Sequence, residues 1–183
     1  MIARIFRFVG VMSLWFAAIS LALVIGMRFV PPPFTLTMAG DLLAGHSIKK
    51  KWRPLDEIDR DMARAAIAGE DAKFCSHHGF DFKAMAGAAY RNAQGGRIRG
   101  GSTISQQTAK NVFLFQGGGY IRKAFEAWFT VLIEALWGKR RIMEVYLNVA
   151  ETGIGTYGVE AGAIASRFFG SGRTAAILSL IHI

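Results

Sequence analysis

Cysteine is nearly absent: Cys75 is the single one in 183 residues. No internal disulfide can form, and the cysteine count is silent on the compartment in which the chain works. Cys75 reads as a buried or incidental small side chain and not as a nucleophile. There is no internal repeat, no low-complexity tract and no convincing pair of alternating strands, so the part beyond the N-terminal segment is expected to be mainly α. Acidic residues are scarce, 13 against 22 Lys and Arg, which leaves a formal charge of +9. That balance suits a partner rich in phosphate, an anionic membrane surface or nucleic acid, and charge alone does not choose among them. His77 and His78 lack the spaced third ligand that zinc needs, so no metal site is expected from them. The length gives room for one membrane segment and one compact domain, which argues against a second catalytic module.

Charge is missing altogether from Phe8 to Met27, a run rich in Val, Leu, Ile, Phe and Ala. At ~1.5 Å per residue a helix of that length crosses a hydrocarbon layer of ~30 Å. Arg4 and Arg7 precede it and only Arg28 follows closely, so the positive-inside rule favours an N-terminus in the cytoplasm and the remaining chain outside. A cleaved signal peptide is the alternative. Its apolar region would be shorter and would end at small residues, whereas Arg28-Phe29-Val30 runs into Pro31-Pro32-Pro33, an exit linker. Residues 1–33 are therefore read as cytoplasmic tip, anchor and linker, and 34–183 as the domain.

Lys49-Lys50-Lys51 is either a solvated face or a segment lying against anionic headgroups. From Asp61, the spacing of Met62, Ala65, Ala66 and Gly69 predicts a helix that ends at Glu70-Asp71. A second helix is predicted over Phe82 to Ala93 with Met85, Ala88 and Ala89 inward. Thr103 followed by Gln106 is a capping-box pattern, so a helix should start near Thr103 and reach about Phe113. After Gly117-Gly118-Gly119, the residues Ile121, Phe125, Trp128, Phe129, Leu132, Ile133 and Leu136 form one apolar stripe of a longer helix. Two more helices are predicted over Lys139 to Asn148, with Ile142, Val145, Tyr146 and Val149 inward, and over Val159 to Phe169.

Three polar clusters interrupt these helices. The first, Glu70 to Gly79, opens with adjacent carboxylates followed by Lys73, His77 and His78, which could shift one acid toward neutral pH; a helix end carrying solvated charge explains the same string. The second, Gly100 to Asn111, leads glycines into a helix N-terminus with Lys110 two turns on, where an oxyanion or phosphate could be held; a well-capped helix is the plain alternative. It is not a nucleotide P-loop, because no lysine directly follows the glycine. In the third, Glu126 shares a helical face with Arg122 and Lys123, a spacing that surface ion pairing also explains.

With these residues the chain resembles the peptidoglycan glycosyltransferase family, lysozyme-like enzymes found alone or as the N-terminal module of bifunctional penicillin-binding proteins. EDAKFCSHHGFD, GGSTISQQTAKN, IRKAFE, KRRIMEVYLN and GTYGVEAGAIASRFFG match the family's five motifs in order, from Glu70 to Gly170. The lone membrane helix resembles the monofunctional branch. The resemblance implies a mainly α, two-lobed lysozyme-like domain behind one transmembrane helix, held in the bacterial inner membrane with its catalytic part on the periplasmic side. It implies that the 4-hydroxyl of an acceptor lipid II attacks the anomeric carbon of a lipid-linked strand, inverting it to a β-1,4 bond and releasing undecaprenyl pyrophosphate. Glu70 matches the general base, with Asp71, Lys73 and Phe74 beside it. Glu126 matches a second glutamate on the donor side. Lys110, Arg122 and Lys123 match the cations that meet the leaving pyrophosphate, and Ser102, Thr103, Gln106, Gln107 and Asn111 match polar groups of the donor pocket. Some members bind a divalent cation, Mg2+ or Mn2+, near the pyrophosphate, but no dedicated metal site is legible here. The implied partners are lipid II, the growing lipid-linked strand, the cytoplasmic membrane and cell-wall synthesis or division proteins, with no nucleic acid.

Two departures stand out. Many members carry an arginine in a Gly-Arg-Ser context just before the third motif, where this chain has Gly117-Gly118-Gly119. The family's helical sequence also continues past the fifth motif, whereas Ser171 to Ile183 loses the pattern, as a C-terminal truncation would. Two other functions remain: a lysozyme-like hydrolase with Glu70 as general acid, and a non-catalytic basic membrane protein.

Overall fold

The computed structural model describes residues 1–95, 100–153 and 156–158. The first element, α1 (Ile2–Phe29), contains the uncharged run and is long and apolar enough to cross a membrane. Its 28 residues extend for about 42 Å. The linker passes into α2 (Leu36–Leu43), capped by the Thr35 hydroxyl, which accepts from the Met38 N–H. Then come β1 (Lys49–Lys50), a single 3-10 turn at Leu55–Glu57 and α3 (Arg60–Glu70). Next are α4 (Phe82–Ala93), α5 (Ile104–Phe113), α6 (Gly119–Leu136) and α7 (Lys139–Val149). The described part closes with β2 (Glu151–Gly153) and β3 (Thr156–Tyr157).

Side-chain caps set the starts of α2, α3, α4 and α5. Thr103 and Gln106 form the expected reciprocal box at the start of α5, and Asp81 caps α4 by accepting from the Ala84 N–H. The α4 face differs from expectation: Ala88 is buried and Met85 partly so, but Ala89 is exposed. A short sheet also exists where none was expected, in the order β1-β3-β2 with β1 parallel and β2 antiparallel to β3. Strands of two or three residues are too short to display alternation in sequence. The predicted helix over residues 159–169, most of the fifth motif and the tail at 171–183 lie outside the described residues.

The core is built around α5, which packs on α6, α7 and α2. Phe113 stacks on Phe129 at 4.4 Å between centroids, and Ile104, Ile133, Trp137, Ile142, Val145 and Tyr146 fill the surrounding space. The predicted apolar stripe of α6 divides. Phe129 and Ile133 enter the core, whereas Ile121, Phe125 and Trp128 do not. Phe125 meets the Phe16 ring of α1 edge-on at 5.4 Å, and Trp128 Nε1 donates to Ser20 Oγ at 3.0 Å. Trp137 Nε1 donates to the Val24 carbonyl at 2.8 Å, and Arg141 donates to the carbonyls of Met27 and Val30. A guanidinium on the last carbonyls of α1 complements the negative end of that helix.

In the basic run Lys49 and Lys51 are exposed, whereas Lys50 is partly buried. Lys50 folds inward, its Nζ donating to the Pro32 carbonyl, and burial brings its pKa down to about 8. Cys75 is exposed, contrary to a buried reading.

Candidate active site

Glu70 is the last residue of α3, and the chain turns at Asp71, so adjacent carboxylates point into different surroundings. Asp71 is buried. One of its oxygens accepts from the Ile104 N–H at the start of α5 at 3.1 Å, and both lie within 2.9 Å of His77 Nε2. His77 Nδ1 accepts from the Gly79 N–H at 3.2 Å, which assigns the ring proton to Nε2 and makes the imidazole a donor to Asp71. The loop after Glu70 is thus tied to the N-terminus of α5. The Thr103 hydroxyl adds a second tie, donating to the Gly79 carbonyl at 2.6 Å. Glu70 itself faces α5, where Gln107 Nε2 donates to its Oε2 at 3.0 Å.

The next turn of α5 carries Lys110. Burial lowers its pKa, and the nearby Glu126 carboxylate opposes that shift while Arg122 adds to it. Glu126 is 2 % exposed, so the surface ion-pair reading of its spacing does not hold. Arg122 Nη1 donates to it at 2.8 Å and Lys123 Nζ contacts its other oxygen. Lys123 Nζ also donates to Ser102 Oγ at 3.2 Å, which joins the glycine loop to α6. That loop lies close to α4: a Cβ on Gly101 would stand 3.1 Å from Ala88 Cβ and 3.2 Å from Met85 Cα. Glu151 stands at the edge of this group, held by Gln116 Nε2 at 2.9 Å, and burial followed by Asp41 raises its pKa.

The structure therefore brings Glu70, Gln107, Lys110, Glu126, Arg122, Lys123 and Ser102 around one helix, α5. Other expected residues have different surroundings. Thr103 and Gln106 are buried in the capping box, and Asn111 is buried on the following turn. Phe74 is a core residue with Lys139 Nζ 4.6 Å above its ring. Lys73 is exposed and lies 3.7 Å from Asp81. Gly117, Gly118 and Gly119 all have left-handed backbone, at φ 93°, 85° and 55°, a run that an arginine does not adopt without strain. Among the described residues no group of three His, Cys, Asp or Glu side chains gathers to hold a metal. His77 was expected only to act with Lys73 and His78 on the neighbouring acids; its tie between Asp71 and the Gly79 N–H could not be read from its place in the first motif.

The chain is similar to known proteins over most of its length. The family model described as Transglycosylase matches residues 38–179. A biosynthetic peptidoglycan transglycosylase of Caulobacter vibrioides is 57 % identical over 147 residues, covering 80 % of this chain and 63 % of the relative. Relatives of the same name from Xanthomonas campestris and Pseudomonas aeruginosa are 49 % and 48 % identical, over 87 % and 89 % of this chain and 68 % and 73 % of their own lengths. The chain thus spans somewhat under two thirds of the Caulobacter protein. A mainly helical body, five ordered motifs and a family match over most of the sequence lead to one assignment: this chain belongs to the transglycosylase family, with its lysozyme-like fold.

Proposed function

We propose that the chain is a peptidoglycan glycosyltransferase, anchored by α1 in the inner membrane with its N-terminus in the cytoplasm. It joins lipid II disaccharides into a β-1,4 glycan with inversion and releases undecaprenyl pyrophosphate. Glu70 is the general base for the acceptor 4-hydroxyl. Glu126 orders the donor side by holding Arg122 and Lys123, which with Lys110 meet the charge that develops on the departing diphosphate. Ser102, Gln107 and Asn111 shape the donor pocket, and Thr103 and Gln106 hold the helix that carries it.

The observation that supports this most is the placement of unlike chemistry on successive turns of α5. Gln107 engages Glu70, and Lys110, one turn on, senses Glu126 and the two bases paired with it. An acid poised for a hydroxyl proton beside a cluster of cations suits attack on an anomeric carbon whose leaving group is a diphosphate. The donor set here is cationic, and Glu126 is occupied by its two ion pairs, so the described residues do not fit a protein-held Mg2+ or Mn2+. The hydrolase reading needs water as nucleophile and gives no use to three cations near the second glutamate.

Incubating the detergent-solubilised chain with labelled lipid II separates the readings. A ladder of lengthening strands is expected. Shortening of preformed glycan with no ladder would replace the transferase by the hydrolase, and neither product would favour the non-catalytic membrane protein.

A further inference from the structure

Among the described residues, the hydroxyl of Tyr146 is the one buried side-chain nitrogen or oxygen without a hydrogen-bond partner. The residue is 1 % exposed and lies on α7 within the core. Phenylalanine would fill the same space without stranding a polar atom, so the hydroxyl is costly unless it serves something. Burial first, and then the negative charge of Glu70, push the phenol pKa upward, so the group stays protonated and remains a donor. The other charged groups on the packed elements are engaged elsewhere. Asp71 is held by Ile104 N–H and His77, Glu134 by Ser105 and Lys139, and Glu144 by Arg141. Lys110 lies among Glu126, Arg122, Lys123 and Glu151.

We propose that Tyr146 is a positioning residue for Glu70: its hydroxyl donates to the Glu70 carboxylate across one water, and with Gln107 fixes the orientation in which that carboxylate meets the acceptor hydroxyl. Gln107 reaches Glu70 from α5, and α5 packs on α7, which carries Tyr146. The carboxylate is then gripped from two rigid elements instead of one. The proposal rests on the reading of Glu70 as the base.

Tyr146→Phe removes one oxygen and keeps the packing, so a structural role and a positioning role predict opposite results. The full chain is assayed with labelled lipid II across pH, and its thermal unfolding is followed in the same detergent. The expected outcome is a fall in kcat of about tenfold at neutral pH with KM little changed. The acidic limb of the rate profile moves to higher pH, because a carboxylate that loses a donor holds its proton more tightly. The unfolding midpoint stays level or rises. An unmoved acidic limb with kcat within about twofold of the parent, or a rate loss matched by a lowered midpoint, overturns the proposal. Glu70→Gln run beside it keeps the two readings apart. If that variant retains full synthesis, the base assignment fails; if it is inactive while Tyr146→Phe is unchanged, only the role of Tyr146 fails.

Discussion

Glu70 and Asp71 are neighbours in sequence, yet the fold gives them different work. Asp71 is locked between a backbone N–H and an imidazole, whereas Glu70 turns toward Gln107 and the cation-bearing face of α5. Lys110 shows the cost of such a site. Its folded pKa lies below the value in the unfolded chain, so its charge weakens the fold at neutral pH, and that loss is relieved as pH rises through the folded pKa. Lys110→Met should therefore leave the unfolding midpoint at pH 7 level or higher while strand synthesis falls by about 10²–10³-fold; a lower midpoint with an unchanged rate would deny it a role at the diphosphate. Glu126→Gln should slow synthesis to a lesser or comparable degree than loss of Glu70. Its stability loss should be roughly 1–3 kcal/mol, since glutamine keeps an acceptor for Arg122 and Lys123 can turn to solvent. An unchanged rate in that variant would count against a donor-side role. The acids and cations were legible as residue types in ordered motifs. The burial of Glu126 was not, because its spacing to Arg122 and Lys123 is also that of a solvated helix face.

Helices declared themselves where capping chemistry is strong. The α4 bounds at Phe82 and Ala93 and the α5 start after Thr103 agree with the sequence reading because Asp81 and Thr103 carry the acceptors that satisfy orphan N–H groups. Faces were less legible. Ala89 looks outward because alanines at helical spacing do not state which side meets a neighbour, and the α6 stripe serves two partners, the core and α1. The sheet escaped notice because its strands are so short. The glycine run at Gly117, Gly118 and Gly119 has a backbone suited to glycine. A Cβ on Gly118, at φ 85°, would come 3.0 Å from Arg122 Cβ. Gly118→Ala should destabilise the chain by about 1–2 kcal/mol. Thermal unfolding checks this, and a midpoint equal to that of the parent would contradict it.

At the scale of the molecule, α1 packs on α6, the helix that carries Glu126, Arg122 and Lys123. Phe16 stands eleven residues before Met27, about 16 Å along the helix. Phe125 and Trp128 pack against it, so the outer face of α6 lies beside the apolar run of α1. Val131 is exposed on that helix, three residues beyond Trp128. A polarity-sensitive thiol probe on Val131→Cys in a Cys75→Ser background should shift to the blue when the protein enters vesicles. Water-like emission there would place α6 clear of the lipid. The long apolar helix was legible from its uncharged run, whereas its docking on α6 depends on contacts between residues more than a hundred positions apart, such as Ser20 and Trp128. The account as a whole stands on Glu70 acting as the base beside a cationic donor site. Strand synthesis from labelled lipid II by Glu70→Gln, in a preparation free of other polymerases and with its unfolding midpoint matched to the parent, tests this most directly. The account predicts no strands from a folded protein, and a normal ladder from that variant would contradict it.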